Sequence, residues 1–166
     1  MSVIRILIAD DSGEWRDFIV YLLAKDCRFE IVAQARHGLE AIDLAKQLQP
    51  SLVLLDIRMP GVNGLEVARQ ILAMESSARI IFVTGEADCD IVSAALDLGA
   101  SGYVLKMKAS TDLRVAIESV MKGSSFVSSG LLPNTDMGEK SIQQDLDRSS
   151  SNPPSTSPKK FSCAPY

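Results

Sequence analysis

The chain has 166 residues, with 17 Lys+Arg against 21 Asp+Glu, a formal net charge of −4, 46% hydrophobic residues and 23% charged residues. One globular domain with a short appendage fits this length and composition, and a mildly acidic balance argues against generic nucleic-acid binding. No uninterrupted apolar stretch approaches the roughly 18 residues of a membrane span, so no membrane association is expected. The start, Ser2-Val3-Ile4-Arg5-Ile6-Leu7-Ile8, has neither the basic region nor the cleavage site of a signal peptide, and a cytoplasmic location is the expectation. Cys27, Cys89 and Cys163 are scattered, with His37 the sole histidine, and read as structural or surface thiols.

Five short apolar runs rich in β-branched residues are expected as strands: Val3–Ala9, Phe29–Ala35, Leu52–Leu55, Ile80–Val83 and Tyr103–Leu105. Helical spacing separates them. Trp15, Phe18, Ile19 and Leu22 recur at i, i+3, i+4 and i+7, as do Ile91, Ala94, Ala95 and Leu98, and Leu113, Ala116, Ile117 and Val120. Ala41, Leu44, Ala45 and Leu48 form another face, ended by Pro50, and Gly64 opens a helix carrying Val67, Ala68, Ile71 and Leu72. Gly99 and Gly123 stand where helices should stop. This alternation predicts an α/β domain over 1–123, a doubly wound, five-stranded parallel sheet. Beyond it, residues 124–166 read as a linker remnant and a mostly disordered tail. Five of the seven prolines lie from position 131 onward, together with four residues of each charge sign; a short helical turn around Ile142–Leu146 is compatible with the sequence.

In such a sheet the ligand site lies outside the carboxyl ends of the strands. Those ends carry Asp10 and Asp11, Asp56, Thr84 and Lys106. Taken singly, each has an ordinary explanation: an aspartate after a strand caps a helix or turn, Lys106 is a solvated surface residue, and Thr84 suits a strand. Their coincidence at four strand ends points elsewhere. If the strands follow the order 2-1-3-4-5, strands one and three are neighbours and three carboxylates crowd together, tolerable if some are protonated or if a hard cation binds, and an oxygen-only site with few protein ligands suits Mg²⁺. With Lys106 as a cation and Thr84 as a donor, the set suits phosphoryl chemistry.

The set as a whole resembles the receiver domain of bacterial two-component response regulators. The resemblance rests on Asp10-Asp11, the stretch Asp56-Ile57-Arg58-Met59-Pro60-Gly61-Val62-Asn63-Gly64, Thr84-Gly85, Leu98-Gly99-Ala100-Ser101-Gly102-Tyr103, and Lys106. It implies a flavodoxin-like (βα)5 fold and a phosphoacceptor role for Asp56, supplied by a sensor histidine kinase or a histidine phosphotransfer protein. It further implies Mg²⁺ held by Asp10, Asp11, Asp56 and the backbone carbonyl of Arg58, with Lys106 pairing the phosphoryl group. Thr84 and Tyr103 would be switch residues, though Tyr103 also reads as a core aromatic, and Arg58 and Glu86 would tune lifetime. Self-phosphotransfer and autodephosphorylation are expected to be weak at most, in a signalling domain rather than an enzyme.

Lys106 is followed by Met107 where many receivers have proline, which together with Ala116-Ile117-Glu118-Ser119-Val120-Met121-Lys122-Gly123 resembles the NarL/FixJ-type subfamily. Phe126–Leu131 resembles the start of that subfamily's interdomain linker. The following residues offer no basic recognition helix, so DNA binding is not expected, and a receiver without its DNA-binding domain is the reading. The expected output is a protein-binding surface over Ile91–Leu98 and Tyr103–Met121, directed at a downstream target protein, with a homodimer as another option. A phosphorelay carrier or phosphate sink, and a truncated DNA-binding transcription regulator, are the alternatives.

Overall fold

Strands and helices alternate along the chain: β1 Ile4–Ala9, α1 Gly13–Leu23, β2 Phe29–Ala35, α2 Gly38–Leu48, β3 Leu52–Leu55, α3 Gly64–Ala73, β4 Arg79–Thr84, α4 Cys89–Asp97, β5 Gly102–Leu105, a 3-10 turn at Lys106–Lys108, α5 Ala109–Met121 and β6 Phe126–Val127. The computed structural model describes residues 3–74 and 77–131. The expected tail beyond 131, its helical turn at Ile142–Leu146 and Cys163 lie outside the described residues.

All the strand pairs are parallel, in the order β2-β1-β3-β4-β5-β6. Side chains alternate across the pleat, so each strand feeds two cores. Leu7, Val53, Leu55, Ile80 and Phe82 meet Ala41, Val67, Ile71, Val92 and Ala95 on one face. Ile6, Ile8, Leu52, Leu54, Ile81 and Val83 meet Ile19, Leu23, Leu113, Ile117 and Val120 on the other. Each such aliphatic side chain contributes about 1.5–3 kcal/mol on burial, which explains why β1, β3 and β4 read as near-continuous apolar runs.

The helices begin where a side chain satisfies a free amide. Ser12, His37, Asn63 and Asp88 accept from the amides of Trp15, Glu40, Glu66 and Asp90. Gly99 and Gly123 take positive φ at the helix ends, as the sequence predicts. On α4 the buried residues are Val92 and Ala95, whereas Ala94, expected on the inner face, is exposed. Val92, Ala95 and Leu96 satisfy the i, i+3, i+4 spacing as well as the expected set does, and it is this face that turns toward the core.

The sheet has six strands where five were expected. β6 is formed by residues that the sequence presents as linker, and it adds to the outer edge of β5. An edge strand leaves backbone groups unpaired, and this segment satisfies them: Phe126 N–H donates to Ser101 O at 3.1 Å and Ser128 N–H to Tyr103 O at 2.9 Å. The Leu105 amide donates to Ser128 Oγ at 3.2 Å, and that hydroxyl donates to Asp112 Oδ2 at 2.6 Å. Leu131, at 1% exposure, joins the core beside α4, where Cys89 Sγ donates to its carbonyl at 3.2 Å.

Candidate functional site

The parallel order puts the carboxyl ends of β1, β3, β4 and β5 along one rim. Asp10 and Asp56 continue the ladders of their strands, with Asp10 N–H donating to Ala35 O at 3.1 Å and Asp56 N–H to Ala9 O at 2.9 Å. Their side chains therefore emerge side by side. The loop after Asp56 folds back so that Gly64 N–H donates to Ile57 O at 2.8 Å. A Cβ at Gly64 would lie 2.0 Å from the main-chain oxygen of Asp56, so only glycine lets α3 start this close to the backbone that carries the carboxylate.

Burial and charge then meet at one point. Asp10 and Asp56 are 2% and 5% exposed, and Lys106 Nζ lies 2.6 Å from Asp10 Oδ2 and 2.9 Å from Asp56 Oδ2. Burial pushes the Asp10 carboxyl above its ordinary range, against the pull of Lys106 and of the Ser12 amide. Burial would lower the Lys106 ammonium, but hydrogen bonds to Asp10 and Asp56 outweigh it and its pKa is raised. Asp11 is exposed at the rim, and one carboxylate oxygen from each of Asp10, Asp11 and Asp56 falls within 4.8 Å of the others.

This donor set fits a small hard cation. It is oxygen-only and anionic, and Asp10 Oδ2 is buried with no hydrogen bond besides its ion contact with Lys106. An excess of buried negative charge over one ammonium leaves attraction for a further cation.

Four more expected site residues line one side of the rim. Thr84, at 1% exposure, accepts from the Glu86 amide through Oγ1 at 3.3 Å. Tyr103 is fully buried, its hydroxyl donates to Glu86 O at 3.0 Å, and burial raises its pKa. Arg58 donates its amide to Asp56 Oδ1 at 3.3 Å and pairs its guanidinium with Glu86. The two expected lifetime residues thus form an ion pair beside Asp56. Thr84 and Tyr103 are joined through Glu86 rather than directly to the carboxylates.

Sequence reasoning left three contributors unassigned. Ser12 donates its amide to Asp10 Oδ1 at 2.8 Å, and Arg16 reaches Asp10 O at 2.7 Å, fixing the first aspartate from α1. Trp15, read from its spacing as an apolar helix position, has its ring centroid 5.2 Å from Lys106 Nζ. The available signal was a lone tryptophan a few residues after the acidic pair.

The profile of the response regulator receiver domain matches residues 6–118. The transcriptional regulatory protein LnrK of Bacillus subtilis (strain 168) is 36% identical over 121 residues, 73% of this chain and 55% of LnrK. The transcriptional regulatory protein DegU of Brevibacillus brevis is 32% identical over 124 residues, 75% of this chain and 52% of DegU. The chain thus spans about half the length of these relatives. Among solved structures, the isolated receiver domain of RcsB from Salmonella enterica serovar Typhimurium superposes with a TM-score of 0.74 at 28% identity, covering 78% of this chain and 96% of that one. The receiver domain of NarL from Mycobacterium tuberculosis gives 0.70 at 31% identity, covering 74% and 99%.

Proposed function

The chain belongs to the response regulator receiver domain family, and from that premise we propose that it is a phosphorylation-controlled switch of a two-component system, with Asp56 as the phosphoacceptor. The observation that carries this reading is the bridging of Asp56 and Asp10 by the Lys106 ammonium at 2.9 and 2.6 Å, beside the exposed Asp11. The donor is a phosphohistidine of a sensor histidine kinase or a histidine phosphotransfer protein. An Asp56 oxygen forms the new P–O bond while the P–N bond breaks and its electron pair returns to the imidazole, leaving an acyl phosphate.

Each neighbour has a part in that transfer. Asp10, Asp11, Asp56 and the Arg58 carbonyl would hold Mg²⁺, which when bound offsets charge on the phosphoryl oxygens. Lys106 moves from the Asp56 carboxylate to the phosphoryl group. Thr84 exchanges the Glu86 amide for a phosphoryl oxygen, and Tyr103, tied to the same Glu86 backbone, follows. The two arrangements differ in population, and phosphorylation favours one. Arg58 and Glu86 tune how water reaches the acyl phosphate, and self-dephosphorylation is weak.

The output face is α4, β5 and α5, read by a downstream protein in the cytoplasm. β6 borders that face, so a partner meets Phe126–Leu131 as well. A second reading has an observation in its favour: LnrK and DegU are named transcriptional regulatory proteins and are about twice the length of the matched region. In it the same switch controls DNA binding by a separate part of a longer chain.

The test is intact mass after incubation with acetyl phosphate and Mg²⁺. One phosphoryl increment is expected, absent with EDTA and absent in Asp56→Asn. An increment that survives Asp56→Asn would refute the assignment.

A further inference from the structure

We infer that Trp15 is a positioning residue for Lys106, its indole face closing the side of the ammonium that the two aspartates leave open. The inference rests on the phosphoacceptor reading of Asp56. An ammonium has three N–H groups and no acceptor. Asp56 Oδ2 and Asp10 Oδ2 take two directions, at 2.9 and 2.6 Å. The Trp15 ring, 5.2 Å from Nζ to its centroid, covers another, within the roughly 6 Å reach of a cation–π contact.

The ring is held where it is by elements that also hold Asp10. The Trp15 amide donates to Ser12 Oγ at 3.3 Å, and the Ser12 amide donates to Asp10 Oδ1 at 2.8 Å. Phe18 supports the indole from the next turn of α1, with ring centroids 5.1 Å apart. Asp10, the start of α1 and the indole therefore form one rigid piece against which the flexible lysine stem is set. Lys106 is about a quarter exposed, so without the ring its long side chain has a solvent-facing alternative.

The indole is not there for its N–H. Nε1 of Trp15 is buried without a hydrogen-bond acceptor among the described residues, an arrangement that costs stability. What the indole supplies beyond an aliphatic side chain is its π-face. That makes Trp15→Phe and Trp15→Leu informative. Phenylalanine keeps a π-face and removes the unpaired donor; leucine keeps apolar bulk and removes the face.

The experiment is the rate of phosphoryl incorporation from acetyl phosphate with Mg²⁺, in the wild-type chain, Trp15→Phe, Trp15→Leu, Lys106→Gln and the Trp15→Leu/Lys106→Gln double variant, each confirmed folded by thermal melt. Trp15→Leu is expected to be about three- to tenfold slower, the scale of a partly desolvated cation–π contact, while Trp15→Phe stays within about twofold. In the Lys106→Gln background, Trp15→Leu is expected to change nothing further. Because Trp15 is the sole tryptophan, Lys106→Gln should also shift the intrinsic fluorescence before any phosphoryl donor is added. A Trp15→Leu rate equal to wild type, an equal loss with and without Lys106, or an unmoved emission spectrum overturns the inference while leaving Asp56 in place. A wild-type chain that takes no phosphoryl group at all overturns the phosphoacceptor reading, and this inference with it.

Discussion

Removing the bridging ammonium should reveal how much repulsion it holds down. In Lys106→Met the side chain keeps its length and apolar stem, but two carboxylates of 2% and 5% exposure lose their shared counter-charge. At contacts of 2.6 and 2.9 Å, Coulomb attraction at an effective dielectric near 20 is about 6 kcal/mol per pair before desolvation is charged against it. Breaking a buried pair costs about 3–5 kcal/mol net. Because the ammonium is about a quarter exposed, solvent already screens part of this, and the expected loss is about 2–4 kcal/mol at neutral pH. Urea unfolding followed by circular dichroism measures it. Added Mg²⁺ should restore more stability to the variant than to wild type, since the donor set has lost its resident cation. A Lys106→Met chain as stable as wild type, or one indifferent to Mg²⁺, would refute the picture of a charge cluster held together by Lys106.

Three further outcomes follow from other parts of the fold. Asp26 sits between Arg28 and Arg114, and its hydrogen bonds with Arg28 lower it from 3.8 to about 2; a depressed acid stabilises the fold above its unfolded pKa and loses that contribution as pH falls through the folded one. Wild-type stability should therefore drop between pH 3.8 and about 2 more steeply than that of Asp26→Asn in acid titrations monitored by circular dichroism. Gly64→Ala places a methyl 2.0 Å from Asp56 O, so α3 must move; a loss of about 1–3 kcal/mol in chemical denaturation and slower phosphoryl incorporation are expected together. Ser128→Ala strips Leu105 N–H and Asp112 of their shared hydroxyl; a loss of about 1–3 kcal/mol is expected, with faster hydrogen exchange at the Leu105 amide.

The fold was legible where physics repeats itself. Strands buried on both faces must be continuously apolar, and helices covering them must repeat at i, i+3 and i+4; Leu52–Leu55 and the stripe Leu113, Ala116, Ile117, Val120 obey both rules. The rim residues were legible for a topological reason, since a parallel sheet gathers the ends of its strands. What escaped has no period. β6 is two residues long, and its partner β5 lies across the whole of α5 in sequence. The α4 face escaped because its apolar residues satisfy helical spacing in two registers, from Ile91 or from Val92, and the core takes the second. Trp15 satisfied its helical pattern so well that nothing in the spacing hinted at Lys106. The Asp26, Arg28, Arg114 and Glu118 network joins a loop to a distant helix, a pairing no local pattern encodes.

Asp56, and no other group, is the proposed phosphoryl acceptor. Reduction of the phosphorylated protein with borohydride converts an aspartyl phosphate to homoserine, which peptide mass spectrometry locates by residue. Homoserine is expected at position 56 alone, dependent on Mg²⁺ during loading. Homoserine at position 10 or 11, or a phosphoryl group that resists borohydride because it sits on a hydroxyl, would contradict it.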